Sequence, residues 1–146
     1  MRNEKILLIV DLEEAYLTDD DYMGLIMDEY WNETRDELRS EYEKVINKAI
    51  KLKEDGWKIH FTGQTSPFGK LNEIVDVILP HWESNKDMIA SYYKSIESNI
   101  TVGGIFYERC VNAVSKIIKG STLSKEHSIS HYIIGDDEDY FYEFEY

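Results

Sequence analysis

Residues 5–10, KILLIV, form an uninterrupted apolar run that ends at Asp11. A run of this length without polar alternation is typical of a central strand that is buried on both faces of a parallel sheet. Parallel neighbours are joined by crossover connections, which are usually helices. This run therefore predicts a chain in which strands alternate with helices.

The remaining sequence fits this alternation. Apolar residues recur at helical spacing from Leu38 to Leu52, and Gly56 follows as a stop signal. The other predicted segments are a strand at WKIHFT (57–62), a loop at GQTSPFG, a helix at LNEIVDVIL (71–79) stopped by Pro80, a helix at KDMIASYYKSIES (86–98), a strand at ITVGGIF (100–106), a helix at CVNAVSKIIKG (110–120) and a strand at HSISHYII (127–134).

This order of segments predicts an α/β fold, a Rossmann-like three-layer αβα sandwich with a mainly parallel sheet. The 146 residues predict one domain, 1–146, and the acidic stretch at about 17–34 is interpreted as an insertion or lid. Functional residues of such sheets lie at the carboxyl ends of strands. Asp11 and the turn at 103–110 both follow predicted strands, so we expect them to meet.

Charge and cysteine content limit the partners and the compartment. The chain has 29 acidic and 16 basic residues, a net charge of -13, which argues against binding to nucleic acid or to an anionic membrane. No apolar run approaches the ~18 residues that a membrane span needs, and the first residues lack a signal-peptide layout. One cysteine cannot form an intrachain disulfide, so we expect a cytoplasmic protein.

The single cysteine, Cys110, lies at the start of a predicted helix in GGIFYERCVNAVSKII (103–118). The thiolate is the reactive form of cysteine, and the unpaired N–H groups of a helix N-terminus lower the thiol pKa and can hold an oxyanion. Asp11 is a plausible base for this thiol. The alternative interpretations are a small buried side chain for Cys110 and a solvated carboxylate or a cap for Asp11.

Three segments together resemble a known family. ILLIVDLEEAYL, GWKIHFT and VGGIFYERCV resemble, in this order, the isochorismatase-like cysteine hydrolases of the nicotinamidase/isochorismatase superfamily, of which the chain would be a shortened and divergent member. That family opens with an apolar strand ending in a catalytic Asp, here Asp11. Its nucleophile lies in a Gly-hydrophobic-x-x-x-x-Cys-Val turn, which Gly104, Ile105, Cys110 and Val111 match.

The resemblance implies an isochorismatase-like fold and a cysteine amidohydrolase without a cofactor or metal. Asp11, Lys86 and Cys110 would form an Asp-Lys-Cys triad that hydrolyses a C–N bond of a small amide, or the vinyl ether of isochorismate. Lys94 is the alternative lysine; the family's lysine ends the third strand. The family also implies a cis peptide at 105–106, with the backbone amides of Phe106 and Cys110 as the oxyanion hole.

A substrate pocket and departures from the family follow from the same comparison. We expect Glu13, Tyr16 and Tyr107 to line a pocket for a small-molecule substrate, and Trp31 could join them. Glu13 stands where the family usually has Gln. The segment TGQTSPFG lacks the Asp-x-His metal pattern of nicotinamidases.

Three alternatives remain open. These departures, with Lys86 and the charge of -13, motivate a catalytically degenerate member that acts as an acidic binding or inhibitor protein. IVDLEE, IHFTGQT and IIGDDEDYF faintly resemble haloacid-dehalogenase phosphatases, which use Mg²⁺ on hard oxygen ligands. The tail YEFEY alternates Tyr142, Phe144 and Tyr146 on one face, which predicts an edge strand or a contact within a homo-oligomer.

Overall fold

The computed structural model describes residues 5–15, 35–96, 99–104, 110–120, 129–133 and 140–143. The strands are β1 (Lys5–Val10), β2 (Lys58–Thr62), β3 (Val77–Leu79), β4 (Asn99–Gly104), β5 (Ile129–Ile133) and β6 (Tyr140–Glu143). The helices are α1 (Arg35–Glu54), α2 (Leu71–Ile74), α3 (Lys86–Lys94) and α4 (Asn112–Gly120), and a short 3₁₀ turn spans Trp82–Ser84.

The six strands among the described residues form one sheet in the order β3-β2-β1-β4-β5-β6. The pairs β3-β2, β2-β1, β1-β4 and β4-β5 are parallel, and β6 runs antiparallel to β5. The predicted α/β fold with a mainly parallel sheet is therefore confirmed. From β1 the chain first adds β2 and β3 on one side of the sheet and then returns to add β4, β5 and β6 on the other side. The carboxyl end of β1 is therefore the reversal point of the strand order.

Burial of β1 on both faces explains its uninterrupted apolar sequence. Ile6, Leu7, Leu8, Ile9 and Val10 are each at most 1% exposed. Successive side chains of a strand point to opposite faces, so each face needs an apolar residue at every second position. Burying one such side chain stabilises the fold by about 1.5–3 kcal/mol.

The two faces of the sheet support two separate hydrophobic clusters, which make the three layers. One cluster joins β1 and β2 to α1; its members include Leu7, Ile9, Tyr42, Val45, Ile46, Ala49, Ile59 and Phe61. The other joins β1 and β4 to α3 and α4; its members include Ile6, Leu8, Val10, Ile89, Tyr93, Ile100, Val102, Val114 and Ile118. Helical spacing predicted the buried faces of α1, α3 and α4 correctly.

The predicted helix at residues 71–79 is wrong over most of its length. The helix ends at Ile74, and Val77–Leu79 pairs with β2 as the edge strand β3. Asp76 stabilises the end of the helix and the start of β3, because its carboxylate accepts hydrogen bonds from the Ile59 backbone N–H at 2.8 Å and from Lys53 Nζ at 2.9 Å. The β-branched residues around Asp76 also favour an extended backbone.

The last described strand, β6, lies at the edge of the sheet and includes the first two residues of the predicted edge strand. Tyr142 lies in β6 and pairs with His131 of β5, whereas Phe144 and Tyr146 lie outside the described residues. The predicted insertion at about 17–34 also lies outside the described residues, and the description resumes at helix α1. Within the described ranges, none of the helices combines the length and apolar composition that crossing a membrane requires.

Candidate active site

Asp11 lies at the carboxyl end of β1 in an unusual backbone conformation. Its φ of 57° is in the left-handed region, which residues other than glycine rarely adopt and which Asp tolerates better than most. The Asp11 N–H donates to the Thr62 carbonyl at 2.9 Å, so the end of β2 holds this conformation. The residue is only 2% exposed. Strained backbone that is held by its surroundings is concentrated at functional sites.

The 3₁₀ turn after β3 supplies two partners to the Asp11 carboxylate. Trp82 Nε1 donates a hydrogen bond to Oδ2 at 3.1 Å. His81 Nε2 lies 3.8 Å from Oδ1. Oδ1 is buried and has no hydrogen-bond partner among the described residues. One oxygen of this carboxylate is thus fixed, and the other is left for a further donor.

Cys110 approaches the same carboxylate from the other side of β1. It begins a wider π-helical turn at 110–111 that leads into α4, and such turns are frequent at functional sites. Its side chain is partly buried and packs against both hydrophobic clusters. Because these clusters lie on opposite faces of the sheet, Cys110 lies at the carboxyl edge between them. Cys110 is close enough to Asp11 for each group to change the pKa of the other. The two residues that were expected to meet therefore lie at the same edge of the sheet.

Gly104 allows this approach. Its φ is 151°, and a Cβ at this position would lie 2.8 Å from the Val10 carbonyl oxygen and 3.0 Å from Val111 Cγ2. No side chain fits at the first of these distances without moving backbone. The end of β4 can therefore pass close to the end of β1 only because residue 104 has no side chain.

Burial and mutual charge perturb both titratable groups. Burial raises the pKa of Asp11 to about 6, although the hydrogen bonds from Cys110 and Trp82 oppose this change. The pKa of the Cys110 thiol is raised above its ordinary value by burial and then by the charge of Asp11. Glu13 raises the pKa of both groups, and His81 lowers that of Asp11. Near neutral pH, Asp11 and Cys110 together hold one proton and one negative charge.

Glu13 lies beside this pair and is fully buried. Its Oε1 accepts hydrogen bonds from the Thr65 N–H at 2.8 Å and from the Thr65 hydroxyl at 2.7 Å. Its Oε2 has no hydrogen-bond partner within the described part of the chain. Gly63 leaves room for the Glu13 carboxyl carbon, which would lie 3.1 Å from a Cβ at residue 63. Of the other predicted pocket residues, Tyr16, Trp31 and Tyr107 lie outside the described residues.

The two candidate lysines are not part of this cluster. Lys86 and Lys94 are the first and last residues of α3, and both are exposed. Among the described residues, neither forms a hydrogen bond or ion pair with Asp11 or Cys110. Lys86 instead lines a shallow surface depression of about 470 Å³ together with Glu83.

Sequence reasoning missed His81 and Trp82. The cause is the wrong helix at 71–79, because a helix there hides the carboxyl end of a third strand. The signal that could have found them is VDVIL, a short run rich in β-branched residues that ends at Pro80. Such a run, placed before a proline, is also a plausible edge strand.

The other predicted features either lie outside the described residues or already have a hydrogen-bond partner. The peptide at 105–106 and the Phe106 amide lie outside the described residues, as does the late acidic pair at 136–137 of the phosphatase alternative. The Thr62 hydroxyl, a second element of that alternative, donates to the Pro80 carbonyl at 2.7 Å. The described residues contain no group of three or more His, Cys, Asp or Glu side chains that could hold a metal ion.

The reversal of strand order at β1 places this cluster where ligands bind in open α/β sheets. Asp11 follows β1 and Cys110 follows β4, so the two residues flank the point at which the connections change direction. Comparison of the chain with protein-family models found no match. Comparisons with curated proteins and with solved structures also found no match.

Proposed function

We propose that the protein is a cysteine hydrolase of the isochorismatase-like kind, which cleaves a C–N bond of a small amide. The observation that carries the proposal is the placement of Asp11 and of Cys110, which packs against both hydrophobic clusters, at the reversal point of the sheet, where each changes the pKa of the other. A buried carboxylate beside a partly buried thiol is a base next to a nucleophile. The left-handed backbone of Asp11 and the close approach at Gly104 both serve this placement.

The proposed reaction starts with an internal proton transfer. The Cys110 proton moves to Asp11, and the net charge of the pair remains -1. The thiolate attacks the substrate carbonyl carbon, a C–S bond forms, and the carbonyl π electrons move to oxygen. The C–N bond then breaks, and the amine leaves with the proton that Asp11 gives back. Water attacks the thioester, the C–S bond breaks, and the acid is released while a proton from the water returns to Cys110. The resemblance assigns the Phe106 and Cys110 amides to the oxyanion, and we propose that Glu13, Tyr16 and Tyr107 contact the substrate.

The raised pKa of Asp11 supports its role as the base. A carboxylate with a pKa of about 6 is a stronger base than one at the ordinary 3.8. The pKa of the Cys110 thiol is raised as well, and this opposes the proton transfer. The proposal therefore requires a further group that stabilises the thiolate.

The test is the rate of Cys110 alkylation by iodoacetamide as a function of pH, in wild type and Asp11→Asn. We expect wild type to react with an inflection near pH 6 and, below the ordinary thiol pKa, at least about tenfold faster than the variant. Cys110→Ser should not react. A panel of small primary amides, assayed by ammonia release, then identifies the substrate.

A second candidate, an acidic binding or inhibitor protein that has lost catalysis, is favoured by two observations. Lys86 and Lys94 are exposed and outside the cluster, and the pKa of the Cys110 thiol is raised rather than lowered. If wild type and Asp11→Asn react alike and only as an ordinary buried thiol would, the hydrolase is excluded and this candidate replaces it.

The setting that fits the hydrolase is a reducing compartment. A thiol nucleophile must stay reduced, and we propose the cytoplasm on that ground. The proposed partner is a small-molecule substrate. The edge strand β6 is the element through which a homo-oligomer would form.

A further inference from the structure

The Asp11–Cys110 pair is surrounded by additional negative charge. Glu13 lies beside Asp11, and Glu83 of the 3₁₀ turn is near enough to raise the pKa of Cys110. A thiolate formed in such surroundings needs a compensating positive charge. Neither Lys86 nor Lys94 supplies it, since the described structure places both on the exposed side of the site.

His81 is the basic side chain that the structure brings to this pair. Its Nε2 lies 3.8 Å from Asp11 Oδ1, the carboxylate oxygen that has no hydrogen-bond partner among the described residues. The side chain of His81 is 16% exposed and that of Asp11 is 3% exposed. His81 thus touches the buried carboxylate on one side and solvent on the other.

The backbone and a neighbouring ring hold His81 in this place. The Asn85 side-chain amide donates to the His81 carbonyl at 2.8 Å. The imidazole lies against the Trp82 indole, with 5.7 Å between ring centroids. Because Trp82 donates to Oδ2 of Asp11, the same two-residue unit serves both oxygens of the carboxylate.

We propose that protonated His81 is a positioning residue that balances the charge of the Asp11–Cys110 pair and thereby makes the thiolate accessible. This inference rests on the proposed function, because it assigns the third member of the same site. His81 takes its proton from solvent and places a positive charge 3.8 Å from Asp11 Oδ1. With His81 protonated, the cluster of Asp11, Cys110 and His81 has no net charge when it holds both of its protons.

The reaction that tests this role is alkylation of Cys110 by iodoacetamide. When iodoacetamide reacts, the Cys110 proton passes to Asp11, a C–S bond forms, the C–I bond breaks and iodide leaves. His81 keeps its proton throughout and stabilises the negative charge as it moves from carboxylate to sulfur. Its effect should therefore depend on its protonation.

The experiment measures alkylation rates from about pH 5 to pH 9 in wild type, His81→Gln, His81→Lys and the matched control Lys86→Ala. We expect His81→Gln to lower the rate near pH 6 by about tenfold or more, because Gln keeps a donor but has no charge. His81→Lys should restore the rate and hold it at higher pH, because Lys remains protonated there. Lys86→Ala should stay within about twofold of wild type. A wild-type rate in His81→Gln, or a loss in Lys86→Ala instead, overturns the inference.

The two proposals fail in different ways. If Asp11→Asn slows alkylation and His81→Gln does not, the hydrolase pair stands and only the role of His81 is lost. If Asp11→Asn itself has no effect, the pair is not a catalytic unit and both proposals are lost. Far-UV circular dichroism of each variant identifies any change that is due to unfolding.

Discussion

At the scale of single residues, Asp11 combines a functional position with a cost in stability. Its pKa is 3.8 ordinarily and about 6 in the fold. The folded state therefore binds the Asp11 proton more tightly than the unfolded state does. Between these two values the stability falls as the pH rises, and above about pH 6 the full cost, at most about 3 kcal/mol, is present.

Asp11→Asn should remove this cost. We expect the variant to have a free energy of unfolding about 1–3 kcal/mol above wild type near pH 7.5, and little changed near pH 4, where Asp11 is already protonated in the fold. Urea denaturation at the two pH values measures the difference. Asp55→Asn is the control, because Asp55 is exposed and should show no such pH dependence. Loss of stability in Asp11→Asn at the higher pH would contradict the prediction.

A second buried titratable residue, His60, behaves in the opposite sense. Burial lowers its pKa from 6.5 to about 4, and its Nδ1 lies 2.7 Å from the Tyr93 hydroxyl. The unfolded chain binds the proton first as the pH falls. His60 therefore contributes stability that is present above about pH 6.5 and is lost as the pH falls towards 4.

The His60–Tyr93 hydrogen bond gives a direct mutational test. Tyr93→Phe leaves His60 Nδ1 buried without a partner, and we expect a loss of about 1–2 kcal/mol near pH 7. Tyr92→Phe removes the hydroxyl of a neighbouring tyrosine that is only partly buried, and should cost less. Urea denaturation compares the two. Equal losses of stability in the two variants would show that the His60–Tyr93 hydrogen bond contributes no more than the hydroxyl of Tyr92 does.

At the scale of secondary-structure elements, the path of β4 past the end of β1 depends on Gly104. We expect Gly104→Ala to destabilise the protein by about 2–4 kcal/mol, because the new methyl group would lie 2.8 Å from the Val10 carbonyl oxygen. It should also slow alkylation of Cys110, since relief of this clash moves the turn that carries the thiol.

Gly69→Ala is the matched control for this prediction. Gly69 also has a positive φ, 51°, but a Cβ there meets nothing within 4 Å. Its replacement should cost only the backbone term of about 1–2 kcal/mol and leave alkylation unchanged. Thermal unfolding and the alkylation rate distinguish the two variants. Equal effects on both would mean that the close approach to Val10 has no consequence.

The elements also show which parts of the fold the sequence could predict. The helical faces of α1, α3 and α4 and the buried β1 follow from local periodicity, so they were predicted. The strand β3 has three residues, and its position depends on Asp76 bonding to Lys53 and to the backbone of Ile59. Such contacts are distant in sequence and leave no periodic signal. Because β3 was missed, His81 was missed with it.

At the scale of the whole molecule, the site results from the order of the strands. Neither Asp11 nor Cys110 has a local sequence signal that requires it to be functional. The meeting of the two follows because β1 is the centre of the sheet and β4 is its neighbour, so both carboxyl ends reach one edge. Prediction of the fold class was therefore sufficient to place the two residues at one edge of the sheet. It was not sufficient to predict the partners that β3 brings.

Net charge is a property of the whole chain and opposes its folding. With a net charge of -13, the folded state brings many carboxylates together, and salt screens their repulsion over about 10 Å at 0.1 M. We expect the melting temperature near pH 7.5 to rise by about 3–6 °C when NaCl is raised from about 10 to about 200 mM.

The control for this prediction separates screening from effects of the particular ion. NaCl and KCl at equal ionic strength should give the same rise, and the rise should be smaller near pH 5, where more carboxylates are protonated. The ion pair of Lys53 with Asp76, at 2.9 Å, acts in the opposite direction, because salt weakens an exposed attraction as it weakens repulsion. A melting temperature that falls with salt would show that such local attractions outweigh the repulsion that arises because 29 acidic residues face only 16 basic ones.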